Sequence, residues 1–200
     1  MMNKDLYKIV EKRVKDRKGA HDFSHFLRVR NIALKIADAE KADREIVEAM
    51  ALLHDLIRYE DEREENSVED TLKEAGKILK ELDMTDKMAR IILDGIKSHS
   101  LHSKTHKEPS TLEAKILFDA DKIDSVGEIG IARWFMTVGN RNISVKEAAM
   151  IYLKTLEKQE RKMKGKLYTK LGTEMIRDRI IFTKNFLKNC ISFSLPQSST

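Results

Sequence analysis

Breaks are scarce in this chain, and that limits its fold more than any other feature. Proline occurs only at Pro109 and Pro196, and there are eight glycines in 200 residues. Long stretches of Ala, Leu, Ile, Lys and Glu run between them, side chains that lose little freedom in a helix. Strand-like alternation is hard to find. The expected fold is all-α, a compact multi-helix bundle of seven or more helices.

Capping residues bound these helices. Leu6 to Asp16 forms a short opening helix. Ser24 or Asp22 caps a helix to about Ala39, and Asp43 caps Arg44 to Ile57. Ser67, with Asp70 three residues on, starts a helix to about Leu82. Thr85 caps Asp86 to His99. Ser110 with Glu113 makes a capping box for a helix to about Ser125. Gly127 and Gly130 mark a break before Ile131 to Val138. Ser144 with Glu147 makes a second box, for a helix to about Met163. A last helix spans Gly172 to Asn189, and Ser192 to Thr200 reads as a loose tail. The chain shows no internal repeat and no linker rich in Gly, Pro or Ser. Residues 1–189 are expected as one domain, with a core at about 18–138, C-terminal helices at 144–189 and a tail at 190–200.

Hydrophobic residues make up 41% of the chain, enough for a real core, and charged residues 36%, too many for a membrane protein. No apolar run is long enough to span a bilayer, and Met1 to Lys18 lacks the apolar stretch of a signal peptide. Cys190, the single cysteine, excludes an internal disulfide and fits a reducing, cytoplasmic setting. The net charge of +5 is unevenly spread. Lys154 to Lys170 is strongly basic, and Tyr59 to Asp70 strongly acidic. The basic segment lacks aromatic interleaving, so a solvated helix face with a lysine-rich loop is preferred to a nucleic-acid surface.

Two apolar stripes carry a histidine near one end. One reads His25, Val29, Ile32, Ile36, and the other Val47, Met50, His54, Ile57. Such spacing marks a buried face. Asp55 follows His54, about 100° round a helix, still able to share an ion at the stripe's edge. A third stripe, Ala114, Leu117, Asp121, Asp124, turns Asp121 inward with Asp124 close behind. Asp119 falls with Lys115 and Lys122 and reads as a solvated or supporting acid. His99 closes a fourth stripe after Met88, Ile92 and Gly95. Taken singly, each histidine is more simply a hydrogen-bonded core residue. His21-Asp22, a second His-Asp pair, reads as a cap with His21 supporting His25. His102 and His106 belong to an exposed loop.

A buried carboxylate is costly unless paired, and a cation is one way to satisfy it. Two imidazoles and two carboxylates suit one divalent ion, with Mn²⁺, Mg²⁺, Fe²⁺, Co²⁺ or Ni²⁺ as the candidates. Four protein ligands in an octahedral shell leave room for a water and a phosphate oxygen. Arg28, Lys122 and Arg133 are the nearest cations to hold phosphate, and His99 also faces the site.

The segment His21 to Val29 resembles the opening motif of the HD superfamily, and Leu52-Leu53-His54-Asp55 its defining doublet. Leu112 to Arg133 is similar to the third motif in a branch of small stand-alone HD hydrolases, as is Ser98-His99-Ser100. The match runs from about Lys18 to Arg133, and more weakly through Gly165 to Leu187. The doublet alone is unspecific; the ordered set of motifs is not. The resemblance implies an all-α HD bundle with His25, His54, Asp55 and Asp121 as metal ligands. It also implies a phosphohydrolase, with nucleotides as the leading substrate class, including pyrophosphate release from nucleoside triphosphates. Some HD nucleotidases carry a glutamate three residues past the doublet, where this chain has Arg58. Attack by a metal-activated water, with Asp55 at the metal and Asp121 or Asp124 assisting, is the expectation here. The rival readings are a non-catalytic nucleotide sensor and a nucleic-acid binder using Lys154 to Lys170. The oligomeric state stays open.

Overall fold

The computed structural model describes residues 2–58, 67–100, 108–139, 141–163 and 167–193. Among these residues the regular structure is entirely helical. The acidic residues 59–66, His102, His106, Lys164, Lys166 and the last seven tail residues lie outside them. The chain divides into two compact units, Met1–Asp121 and Lys122–Thr200.

The first unit holds α1 (Met2–Val14), a 3-10 turn (Gly19–His21), α2 (Phe23–Glu40), α3 (Arg44–Leu53), α4 (Ser67–Glu81), α5 (Asp86–Ser98) and most of α6 (Leu112–Asp124). Helix α3 is central, packed against α1, α2 and α5, while α4 lies on α5. Leu6, Val10, Phe26, Val29, Ile36, Val47, Met50, Leu53, Ile78, Ile92, Ile96 and Leu117 form its core. Gly95 permits the close approach of α5, since a Cβ there would fall 2.4 Å from Met50 Cε.

Most caps lie where the sequence places them. Asp22, not Ser24, caps α2 by accepting from the His25 amide at 3.3 Å. Asp43 caps α3, accepting from the Glu45 and Ile46 amides, and Thr85 caps α5. The expected Ser110–Glu113 box does not form. Thr111 Oγ1 accepts from the Ala114 amide at 3.1 Å instead, and Glu113 reaches the Asp43 amide at 3.3 Å. A hydroxyl one residue nearer the helix has taken the capping role.

Helix α3 also stops early. It ends at Leu53 rather than Ile57, with His54 as its C-cap and Asp55 in the following turn. Part of the reason is local, since His54 turns its own ring nitrogen back on the Ala51 carbonyl, 2.9 Å away, and part is distant, since Arg17 holds the carbonyls of the turn that follows.

The second unit contains α7 (Gly127–Val138), α8 (Val145–Lys162) and α9 (Lys170–Ser192), with both α7 and α8 packed on α9. Ile131, Ala149, Tyr152 and Leu187 form its core, with Trp134 and Phe135 against them. Gly127 and Gly130 are helical rather than a break. A Cβ on Gly130 would fall 2.3 Å from the Ser125 carbonyl oxygen, so only glycine lets the backbone fold over that turn. The turn is held by Tyr152, whose hydroxyl donates to the same oxygen at 2.5 Å, and by Thr183, which accepts from the Gly127 amide at 2.8 Å. Burial pushes the Tyr152 hydroxyl pKa up to about 12. The Ser144–Glu147 capping box forms as expected. Thr169 caps α9, which starts two residues before Gly172 and continues past Asn189. The described basic residues of α8, Lys154, Lys158, Arg161 and Lys162, lie on an exposed face.

Candidate metal centre

Three side chains from α2, the end of α3 and α6 converge in the first unit. His25 Nε2 and His54 Nε2 are 3.1 Å apart. Asp121 Oδ1 lies 4.0 Å from each. Both imidazoles are buried, and the Asp121 side chain keeps 19% of its surface exposed.

The geometry settles which nitrogen of His54 is available. Its Nδ1 faces a carbonyl, which can only accept, so Nδ1 carries the proton. In the neutral ring Nε2 is then a bare lone pair aimed at His25 and Asp121. A ligating histidine is commonly oriented this way, through its other ring nitrogen. The point equidistant from the three donor atoms lies about 2.2 Å from each, close to the roughly 2.0–2.2 Å at which imidazole and carboxylate hold a divalent transition metal. Two close imidazole nitrogens facing a carboxylate match a cation between them in distance and in charge. These residues therefore fit a divalent metal.

Other expected residues surround this trio in different ways. His99 is buried, with its ring edge-on to His54 at 5.2 Å between centroids. Its Nδ1 also turns back on a carbonyl, that of Ile96, at 2.5 Å. The His21 ring meets the His25 ring edge-on at 5.5 Å. Asp55 is buried beside His54, but the converging donors are His25, His54 and Asp121. Asp55 Oδ1 lies 3.8 Å from Arg58 Nη1. Burial pushes the Asp55 carboxyl up, but Arg58 and the imidazoles of His54, His21 and His25 outweigh it and hold the group well below the usual carboxylate range. Arg28 Nη1 donates to Ser24 Oγ at 2.7 Å, and Ser24 donates in turn to Asp22.

Within the second unit, Asp124 is buried and Arg133 Nη1 lies 2.6 Å from its Oδ2, so these two expected site residues pair with each other. Lys122 is buried.

Asp119 is fully buried, which corrects the solvated reading and leaves the supporting one. The expectation took α6 to have one apolar face, but Ile116, Leu117, Phe118, Ala120 and Ile123 are buried all round it. On such a helix, periodicity cannot separate inward from outward acids.

Two side chains of the centre escape sequence reasoning altogether. Arg17 donates from Nη1 to the Asp55 carbonyl at 2.8 Å and from Nη2 to the Leu56 carbonyl at 2.5 Å. Thr71 Oγ1 accepts from the Ile57 amide at 3.0 Å and lies 3.2 Å from the Ile57 carbonyl. Neither belongs to a stripe or a motif, so no local pattern marks them.

Two imidazoles and a carboxylate thus converge, within a helical unit, on a point that suits a divalent ion. The HD domain family profile matches residues 22–126, and the chain belongs to that family. The YpgQ protein of Bacillus subtilis is 36% identical over 126 residues, a match covering 62% of this chain and 60% of that protein. A crystal structure of a predicted HD superfamily hydrolase from an uncultured Thermotogales bacterium superposes with a TM-score of 0.63 at 26% identity, over 95% of this chain and 91% of the other. The crystal structure of YpgQ in complex with ADP superposes at 0.70 with 23% identity, over 98% and 96% of the two chains. Among the described residues, no helix is long and apolar enough to cross a membrane.

Proposed function

We propose that this protein is a divalent-metal-dependent phosphohydrolase acting on a small phosphorylated substrate, a nucleotide. The observation that carries the reading is the triangle of His25 Nε2, His54 Nε2 and Asp121 Oδ1, sized for one ion. A metal held there would acidify a water and polarise a phosphoryl group. His25, His54 and Asp121 supply three ligands, and Asp55, at the adjoining turn, supplies the fourth by turning its carboxylate from Arg58. Arg58, partly exposed, and His99, buried against His54, are the nearby groups of this unit suited to a phosphate. Arg28, on α2 of the same unit, is a further expected phosphate-binding group. The nucleotide assignment is supported by the ADP complex of the structurally similar YpgQ.

The test is metal analysis of the purified protein, then product release from nucleoside mono-, di- and triphosphates with Mn²⁺ and with Mg²⁺. Turnover in the wild type, lost with bound metal in His54→Ala and Asp55→Ala while helicity is kept, is the expected result. Nucleotide binding without product from any substrate would make the protein a sensor instead.

A further inference from the structure

The residues that bear the ligands do not lie on a continuous helix. Helix α3 ends at Leu53, and residues 54–58 form an irregular turn carrying His54 and Asp55. A turn after a helix C-terminus has carbonyls without intrahelical partners, and buried ones must find donors elsewhere. Here two distant side chains provide the missing bonds. Arg17 takes the carbonyls of Asp55 and Leu56 with the two arms of its fork. Thr71, from the second turn of α4, meets both the amide and the carbonyl of Ile57.

Arg17 is itself well anchored. Its amide donates to the Val14 carbonyl at 2.9 Å, and its guanidinium sits over the Phe26 ring, 5.8 Å from the centroid. Phe26 packs in turn against His25 and His54, with ring centroids 5.8 and 5.5 Å away. The guanidinium thus touches the turn's backbone on one side and, through Phe26, backs the two imidazoles on the other. The guanidinium is half-buried in this position.

We infer that Arg17 and Thr71 are positioning residues that fix the His54–Asp55 turn in the geometry needed to hold the metal. The inference rests on the metal site proposed above. Neither side chain is a ligand. They act by setting where the His54 ring and the Asp55 carboxylate begin, much as partners beyond the ligands usually tune a metal centre, at a cost of about 10–100-fold in affinity when removed.

The measurement is Mn²⁺ binding by calorimetry to the full chain, alongside thermal melting without metal, for wild type, Arg17→Lys, Thr71→Val and Thr71→Ser. Lysine keeps the charge and stem but cannot span both carbonyls with one fork. Valine keeps the volume of threonine and removes both bonds to Ile57. The expected result is a Kd raised by about tenfold or more in Arg17→Lys and Thr71→Val, with metal-free melting largely kept and binding restored in Thr71→Ser. Wild-type affinity in both of the first two variants would overturn the inference while leaving the metal site intact. Loss of the metal-free fold in both would also overturn it, by making the two residues general supports. Absence of Mn²⁺ binding in the wild type would instead strike the metal site itself.

Discussion

His54 donates its Nδ1 proton to the Ala51 carbonyl at 2.9 Å, and this bond presents Nε2 to His25 and Asp121. The protein should therefore bind a divalent ion in its folded state and lose the site on unfolding. A ligand at about 100 times its Kd stabilises by about 2.7 kcal/mol, which for a chain of this size raises Tm by roughly 5–10 °C. Differential scanning fluorimetry with and without Mn²⁺ should show that rise in the wild type and almost none in His54→Ala. Equal rises in both proteins would remove His54 from the site.

Much of this centre could be read in the sequence, and the residues show why. The stripes carrying His25 and His54 follow from helical period, most clearly on α2, which buries one face, while Asp121, on a helix apolar all round, is marked by the ordered motifs rather than by period. Asp22, Asp43, Thr85 and Ser144 cap helices through bonds to neighbours two or three residues away, so local sequence reveals them. Legibility failed where the deciding contact was not local. Helix α3 stops at Leu53 because its end is held by His54 and, from 38 and 39 residues away, by Arg17. Asp119 misled because α6 is apolar on all sides. Gly130 read as a breaker because nothing nearby in the sequence reveals the Ser125 carbonyl under it.

Arg133 is expected at the phosphate and Asp124 as an assisting acid, and their 2.6 Å ion pair makes a stability prediction as well. The Asp124 side chain is 2% exposed and that of Arg133 15%, so water screens the pair little. Removing one partner of a buried pair costs about 3–5 kcal/mol, because the remaining charge keeps its desolvation penalty. Arg133→Met should lower stability by about 3 kcal/mol, towards the small end because Asp124 has further contacts. The double variant Asp124→Asn/Arg133→Met should recover a large part of that loss. Urea midpoints of the wild type, Arg133→Met, Asp124→Asn and the double variant decide the matter. Additive losses would mean that the pair is not coupled.

Gly95 and Gly130 make a matched comparison, since both sit in helices and both are crowded. A Cβ at Gly130 meets the backbone of Ser125, at 2.3 Å from the oxygen and 2.4 Å from the carbon, and that turn is already pinned by Tyr152 and Thr183. A Cβ at Gly95 meets the flexible end of Met50, at 2.4 and 2.6 Å, and a thioether can retreat. In each case alanine gains roughly 1 kcal/mol of helix propensity. The clash at Gly130 should exceed this, so Gly130→Ala is expected to destabilise by about 1–3 kcal/mol net. At Gly95 the gain and the repacking of buried Met50 nearly cancel, leaving a loss under about 1 kcal/mol. Met50→Leu, which is shorter at the tip, should reduce even that loss in combination with Gly95→Ala. Chemical denaturation of the single and double variants measures each term. Equal losses at the two glycines would show that backbone and side-chain neighbours yield alike, against the close packing of the Ser125 turn.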